Sequence, residues 1–339
     1  ELVHATAART GRPAAAPHLE PNTLEMLERV AALAPGARDE ALRARWDDDG
    51  CLYFRGIMDP KLMAWGEQLY RDELVKEGLI DAANPVPVLI AEPTNTWRPC
   101  DRVGTQFWKE VVKEPKLVAI LRTLFKAEPA WLPIAAHRSG YPTGPLKEGE
   151  YIFAGQHQDA YYNEGMNSTI CWMPVRDITD LNAGTFAVAP GTHKRGVMHD
   201  PSLERNRIPD GAIAPDEWRT AAYRVGDVVI FRDDTAHAAL PNLSNEIRLS
   251  LDIRVGSSKA AQPVSGTVEA LDGTAVTIRD DNSGELVTVH VNDETFIRDM
   301  NPQPRVPTSE VERIAFVGAR VLAMAGEDRM AKVLRRNRY

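Results

Sequence analysis

The chain has 339 residues, of which 43% are hydrophobic and 26% charged, and its formal net charge is −8. That length holds one large domain with appended pieces, and the apolar fraction is ample for a packed core. The acidic balance leaves no basic surface for nucleic acid, no apolar run approaches a membrane span, and the first residues lack a signal-peptide pattern. Neither nucleic acid nor membrane is therefore expected as a partner.

Residues 1–45 read as a helical or flexible N-terminal segment. Its Ala- and Pro-rich start "HATAARTGRPAAAPHLEP" precedes Asn22, which caps a helix carrying Leu24, Leu27, Val30 and Leu33. The chain opens on Glu1 and not on Met, which points to a removed initial segment. A second helix is expected over Arg38–Asp48, ending at Gly50, then a strand over Cys51–Phe54. Asp59-Pro60 open a helix through Leu62, Trp65 and Leu69, with Gly78 beyond its end. Two further helices span Thr105–Lys113 and Pro115–Lys126. Between them and the previous helix, residues 80–104 carry several prolines and form a long loop of the kind that lines active sites. "AWLPIAAHRSG" then ends a strand at His137 and Arg138, which are either pocket residues or an ordinary strand end.

The strongest chemical signal follows. His157-Gln158-Asp159 places an imidazole and a carboxylate at i and i+2, on the same face of a β-strand, so that one strand end presents both to one metal ion. Further on, Ser168–Val175 reads as an apolar strand, Asn182–His193 as a strand with a Pro-Gly turn, and Val228–Phe231 as a buried strand after the Gly226-Asp227 turn. His237 lies just past that strand. One distant His added to a His/Asp pair makes a two-His, one-carboxylate set that covers one face of a metal and suits non-haem Fe(II). Eleven residues later (248 − 237), the run Glu246–Arg254 alternates Ile247, Leu249, Leu251 and Ile253 with Arg248, Ser250, Asp252 and Arg254. Arg248 and Ser250 thus project together, a guanidinium fork and a hydroxyl matched to a carboxylate.

His157-Gln-Asp159, Trp172, "NAGTFAVAPGTHKRG" from Asn182, "GDVVIF" and His237…Asn242…Arg248-Leu-Ser250 together resemble the phytanoyl-CoA dioxygenase family. The ordered match spans residues 130 to 255, with a looser one at 47 to 60. The resemblance implies a mainly β fold with bracing helices, built on a double-stranded β-helix (jelly-roll, cupin-like) core. It implies Fe(II), with 2-oxoglutarate and O2 as co-substrates, and His157, Asp159 and His237 as catalytic metal ligands. It gives Arg248 the distal carboxylate of 2-oxoglutarate, with Ser250 beside it and Trp172 lining the cofactor pocket. Many relatives carry Ser two residues after the distal His; here that position is Ala239. Related halogenases replace the carboxylate ligand by Gly or Ala, so Asp159 argues against halogenation.

The implied reaction is oxidation of a C–H bond, by hydroxylation, desaturation or ring closure. The expected substrate is a small polar molecule of natural-product type, an amino-sugar type included. An acyl-CoA hydroxylase of the same family is the alternative, and a non-oxidative cupin-like metal binder is disfavoured because it has no use for Arg248 and Ser250. No H-E-x-x-H marks a zinc hydrolase. Tyr161, Tyr162, Arg138 and Asp234 are the candidate substrate contacts; either tyrosine equally suits the core. Asp233 and Asp234 place negative charge near His237 or form a solvated loop. His193 on its Pro-Gly turn suits a supporting role, and His4, His18, His199 and His290 default to the surface.

The oxygenase domain is thus expected over 46–256. After it, 257–300 reads as a small β module, three alternating strands at about 260–299 split by Asp272-Gly273 and Asn282-Ser-Gly284 turns. Its OB-like character lacks the basic and aromatic residues of a nucleic-acid binder, which favours packing, a lid or subunit contact. Residues 301–339 read as a closing helix, about Ser309–Arg336, with Val311, Ile314, Val317, Val321 and Leu322 at helical spacing. This C-terminal segment is the candidate surface for homo-oligomer formation. Three cysteines, Cys51, Cys100 and Cys171, without metal spacing, fit free thiols in a reducing cytoplasm.

Overall fold

The computed structural model describes residues 35–93, 103, 105–143, 155–203, 207–299 and 305–337. These fall into two compact units. One takes in the described residues up to Leu124 with Ala135–Tyr161 and Ile170–Ile253; the other takes in Phe125–Ile134, Tyr162–Thr169 and the residues from Arg254 onward. The helix expected around Leu24–Leu33 lies outside the described residues.

In the first unit, α1 (Pro35–Asp49) leads through Gly50 into β1 (Cys51–Phe54), and α2 covers Pro60–Lys76. Asp59 caps α2 by accepting from the Lys61 amide at 2.7 Å, and Pro60 occupies the first turn, where no amide hydrogen is needed. α2 buries Met63, Gly66, Tyr70 and Leu74 at helical spacing. α3 (Thr105–Val111) and α4 (Pro115–Phe125) complete the expected bracing helices, α3 laying Phe107 over Gly66.

The strands form a five-stranded sheet in the order β1-β6-β3-β8-β2 and a three-stranded sheet β5-β4-β7. Here β2 is Pro129–Gly140, β3 Thr169–Pro174, β4 Phe186–Val188, β5 Arg219–Thr220, β6 Val228–Arg232, β7 His237–Ala239 and β8 Arg248–Ser257. This is the double-stranded β-helix expected from the sequence. β1 runs antiparallel to β6, with Cys51 opposite Phe231, and β4 runs antiparallel to β7, with Val188 opposite His237. The aromatic core between them holds Tyr53, Trp172, Phe186, Tyr223 and Phe231. β8 alternates as its sequence does, but its polar side is not solvated: Ser250 and Asp252 are as buried as Leu249 and Leu251. A short helical turn, α5 (Asp159–Tyr162), replaces the strand that would have carried both His157 and Asp159.

The second unit corrects the reading of the C-terminal region. Its six-stranded sheet has the order β11-β10-β9-β13-β14-β12, with β9 Gln262–Asp272, β10 Ala275–Asp280, β11 Leu286–His290, β12 Phe296–Arg298, β13 Arg320–Ala325 and β14 Ala331–Arg336. The module therefore has four strands where three are expected. The helix expected over Ser309–Arg336 is absent: a 3-10 stretch, Thr308–Arg313, is followed by β13 and β14. Gly318, at φ +85°, and the turn at Arg329, at φ +62°, break the segment where a helix would have to continue. β13 pairs instead with β9 and β14, burying Val321 and Leu322 on opposite faces. Long-range pairing has overridden a local period that strands and helices share in short apolar runs.

Gly266 of β9 lies opposite Asp280 of the antiparallel β10, and a Cβ there would lie 1.9 Å from the Arg279 carbonyl oxygen. Gly266→Ala is expected to destabilise the protein by about 1–3 kcal/mol, because backbone must move to admit the methyl group; calorimetric melting checks it, and an unchanged transition would contradict the register of β9 and β10.

Candidate active site

His157 and His237 are brought together by backbone. Each donates its amide to the other's carbonyl, at 3.0 and 2.9 Å, forming an isolated antiparallel bridge between segments eighty residues apart. Directly opposed residues of an antiparallel pair present their side chains on the same face, and the two imidazole centroids lie 4.2 Å apart. Asp159, two residues beyond His157 and the first of α5, turns its carboxylate toward both: Oδ1 is 3.6 Å from His157 Nε2 and 3.9 Å from His237 Nε2. The three ligand atoms lie within 4.8 Å of one another, and this is the metal-competent group found among the described residues. Metal–N and metal–O bonds of about 2.0–2.2 Å allow one ion to bridge donors at the separations Asp159 keeps from each imidazole.

The donor chemistry fits a divalent metal. His157 Nδ1 lies 2.7 Å from the Gly155 carbonyl and His237 Nδ1 lies 3.0 Å from that of Thr235. A carbonyl only accepts, so each Nδ1 carries the hydrogen and each Nε2 presents its lone pair. Burial, then the neighbouring His157, pushes the pKa of His237 down to about 3 despite the opposing Asp159 carboxylate. It is thereby kept in the neutral form a ligand needs. Phe231 and Phe186 pack on the His237 ring at 4.6 and 5.8 Å. Neither phenylalanine stands out in sequence, though both close motifs already singled out.

Gln158, between two of the three, is fully buried. Its Nε2 donates to the carbonyls of Gly196 and Asp234 at 2.9 and 2.7 Å, and its Oε1 accepts from the Met198 amide at 2.7 Å. Its own amide donates to His199 Nε2 at 2.8 Å, and His199 stacks on Tyr161 with centroids 4.3 Å apart. His199 is thus tied into the site and is not a surface residue, a contact between distant segments that nothing local announces.

Arg248, at the start of β8, donates from Nε to the Gly184 carbonyl at 3.1 Å and from Nη1 to the Ser250 hydroxyl. The sequence-predicted pair is therefore in direct contact. Burial and then the nearby Arg138 lower the Arg248 pKa to about 10, leaving it a desolvated cation at neutral pH. Arg138 is held by Asp252, with Nε to Oδ1 at 3.0 Å. Asp234 is engaged by Arg232 at 3.0 Å, and Asp233, buried, accepts at its carbonyl from the Ala160 amide at 2.7 Å. The Arg232 pairing offsets the charge of Asp234 near His237. Tyr162 belongs to the second unit. Trp172 is buried against Phe186 at 4.8 Å and Tyr223 at 4.9 Å, so Phe186 stands between it and His237.

His193 takes its supporting role, its Nε2 3.1 Å from the Asp47 carbonyl while neighbouring Lys194 pairs with Asp48 at 2.6 Å. His290 is exposed, as expected. His137 turns away from Arg138 and packs edge-on against Tyr70 at 5.6 Å, which decides for a structural place.

A donor set of this kind on a double-stranded β-helix defines a class, the oxygenases that use Fe(II) and 2-oxoglutarate. Within that class the family model described as Phytanoyl-CoA dioxygenase (PhyH) matches residues 46–250, and the chain belongs to that family. Two 1-deoxypentalenic acid 11-beta-hydroxylases, from Streptomyces arenae and Streptomyces exfoliatus, are each 24% identical over 232 residues, covering 64% of this chain and 80% of theirs. Among solved structures, the epimerase SnoN in complex with Fe3+, alpha ketoglutarate and nogalamycin RO has a TM-score of 0.48 at 20% identity, over 67% of this chain and 86% of its own. The carbocyclase SnoK from nogalamycin biosynthesis has a TM-score of 0.45 at 16% identity, over 69% and 87%.

Burial holds His137 neutral, lowering its pKa from 6.5 to about 4, with Asp252 opposing. Between those values the unfolded chain binds the proton and the folded one does not. Stability is thus undiminished above pH 6.5, falls as pH drops toward 4, and loses about 3 kcal/mol from this group in full. Denaturant unfolding across that range should show His137→Phe with a flatter slope than the parent; equal slopes would contradict the assignment.

Proposed function

We propose that His157, Asp159 and His237 hold one Fe(II), that Arg248 with Ser250 binds the distal carboxylate of 2-oxoglutarate, and that the protein oxidises a C–H bond of a small polar natural-product-type molecule. The observation that carries the reading is the pair of Nε2 lone pairs, both oriented by Nδ1–carbonyl contacts, converging with Asp159 on one point. Iron with 2-oxoglutarate and O2 supplies the oxidant for C–H cleavage, releasing succinate and CO2. The chain's own contribution is positional: His157, His237 and Asp159 would hold the metal through two imidazole nitrogens and one carboxylate. The Arg248 fork orients the co-substrate through two parallel hydrogen bonds that an ammonium cannot reproduce. Phe186 and Phe231 keep water from the His237 side.

For the substrate we assign Arg138 the first place among the candidates, since it lies near Arg248 and is pre-oriented by Asp252. Tyr161, Tyr162 and Asp234 follow, the first held by His199 and the last by Arg232. With Asp234 and Asp252 paired, the site has no preference for cations built in; a hydroxyl- or carboxylate-bearing small molecule suits it. The named hydroxylase relatives support an acid-bearing substrate of this size. Trp172 acts through Phe186 on the pocket wall. No helix of the described residues is long and apolar enough to cross a membrane, and the free buried thiols of Cys51 and Cys171 accord with a reducing, cytoplasmic setting. We place homo-oligomer contact on the second unit, which exposes Leu286, Phe316 and Val317.

His157→Ala should abolish both metal binding and turnover, and anaerobic Fe(II) titration with unchanged affinity would sink the ligand assignment. Arg248→Lys should raise the 2-oxoglutarate requirement by at least about tenfold while iron binding persists; wild-type affinity would remove Arg248 as the anchor. Screening acids and polyols for stimulated succinate release, with mass analysis of products, identifies the substrate and the oxidation it undergoes.

A further inference from the structure

Arg248 is flanked by Gly140 at the end of β2 and Gly184 ahead of β4, and Asn242, between β7 and β8, links those two. Their contacts close into a ring. Arg248 Nε donates to the Gly184 carbonyl at 3.1 Å. Gly184 has φ +69°, and a Cβ on it would lie 2.8 Å from Asn242 Cβ. Asn242 Nδ2 donates to the Gly140 carbonyl at 2.8 Å and to that of Glu246 at 2.7 Å, while its Oδ1 accepts from the Ser244 hydroxyl at 2.7 Å. Gly140 then completes the ring by contact alone: a Cβ there would lie 2.9 Å from Arg248 Nε and 3.1 Å from Nη2.

Each contact removes a different freedom. An arginine side chain has many rotamers, and a fork that wanders cannot present two parallel donors. The Gly184 carbonyl fixes the Nε edge. The bare backbone of Gly140 fixes how far the guanidinium retreats toward β2, and Ser250 fixes the Nη1 end. Asn242 holds the Gly140 and Glu246 strand ends at the spacing this requires.

We propose that Gly140 and Asn242 are positioning residues that set the depth of the Arg248 fork, and that the missing side chain at position 140 selects the length of dicarboxylate co-substrate the site accepts. This rests on the reading of Arg248 as the co-substrate anchor. Gly140→Ala is the informative variant, because the new methyl would meet the Arg248 side chain, Nε at 2.9 Å, Nη2 at 3.1 Å and Cβ at 3.3 Å, and not the backbone of another segment, so that the fork would be displaced from its seat.

The test is anaerobic titration of Fe(II)-loaded protein with 2-oxoglutarate, with oxaloacetate (one methylene shorter) and with 2-oxoadipate (one longer), followed by calorimetry and by the visible charge-transfer band of a 2-oxo acid chelated to Fe(II). Fe(II) affinity and melting temperature are measured on the same samples. Gly140→Ala should bind 2-oxoglutarate at least about tenfold more weakly and lose much of its preference over the two other lengths, with Fe(II) affinity unchanged. Asn242→Ala should shift the same preference in the same titration. Wild-type affinity and length ranking in Gly140→Ala, while Arg248→Lys is weakened, would overturn the positioning role and leave the anchor standing. Wild-type binding in Arg248→Lys would overturn the anchor, and this inference with it. A loss confined to melting temperature or Fe(II) affinity would assign Gly140 and Asn242 to the fold alone.

Discussion

The paired backbone hydrogen bonds between His157 and His237 set the terms for the rest of the first unit. They join a segment entering α5 to one entering β7, and they fix two imidazoles on one face at a separation that side-chain flexibility alone would not hold. The price is a polar cluster buried beneath aromatic rings, and it is met by satisfying each group locally. Carbonyls of Gly155 and Thr235 take the Nδ1 hydrogens, and Gln158 uses both ends of its amide on the loops to either side. Buried polar groups arranged in this way specify one geometry, because each alternative leaves a donor or acceptor without a partner.

The same logic governs β8. A strand with alternating apolar and polar residues usually has a wet face; here both faces are enclosed, so Arg248, Ser250 and Asp252 must find partners in protein or ligand. Asp252 takes Arg138, and Ser250 and Gly184 take two of the Arg248 donors. Burial weakens the hold of Arg248 on its proton without removing the charge, and a desolvated cation of this kind interacts strongly with a carboxylate brought beside it.

Much of this was legible in the residue order. The alternation of Glu246–Arg254, the Gly226-Asp227 turn before an apolar run, and the Asp59-Pro60 helix start are local signals, and their elements form where the signals lie. The metal-competent trio was legible through its spacing, although α5 and not a strand carries Asp159. What escaped is long-range. His199 reaches Gln158 across 41 residues, Asn242 reaches Gly140 across 102, and β13 pairs along the edge of β9 with β14 on its other side. The segment after Thr308 has a period compatible with a helix, but Gly318 and Arg329 interrupt it at positive φ, and β9 offers β13 a partner. Phe186 and Phe231 look like ordinary core residues until His237 is placed against them.

The most direct measurement is an anomalous-difference map from crystals grown anaerobically with Fe(II) and 2-oxoglutarate. The account places one iron peak within bonding distance of His157 Nε2, His237 Nε2 and the Asp159 carboxylate, with the distal carboxylate of 2-oxoglutarate paired to the Arg248 guanidinium. Iron bound at other residues, or a co-substrate carboxylate turned away from Arg248, would contradict it.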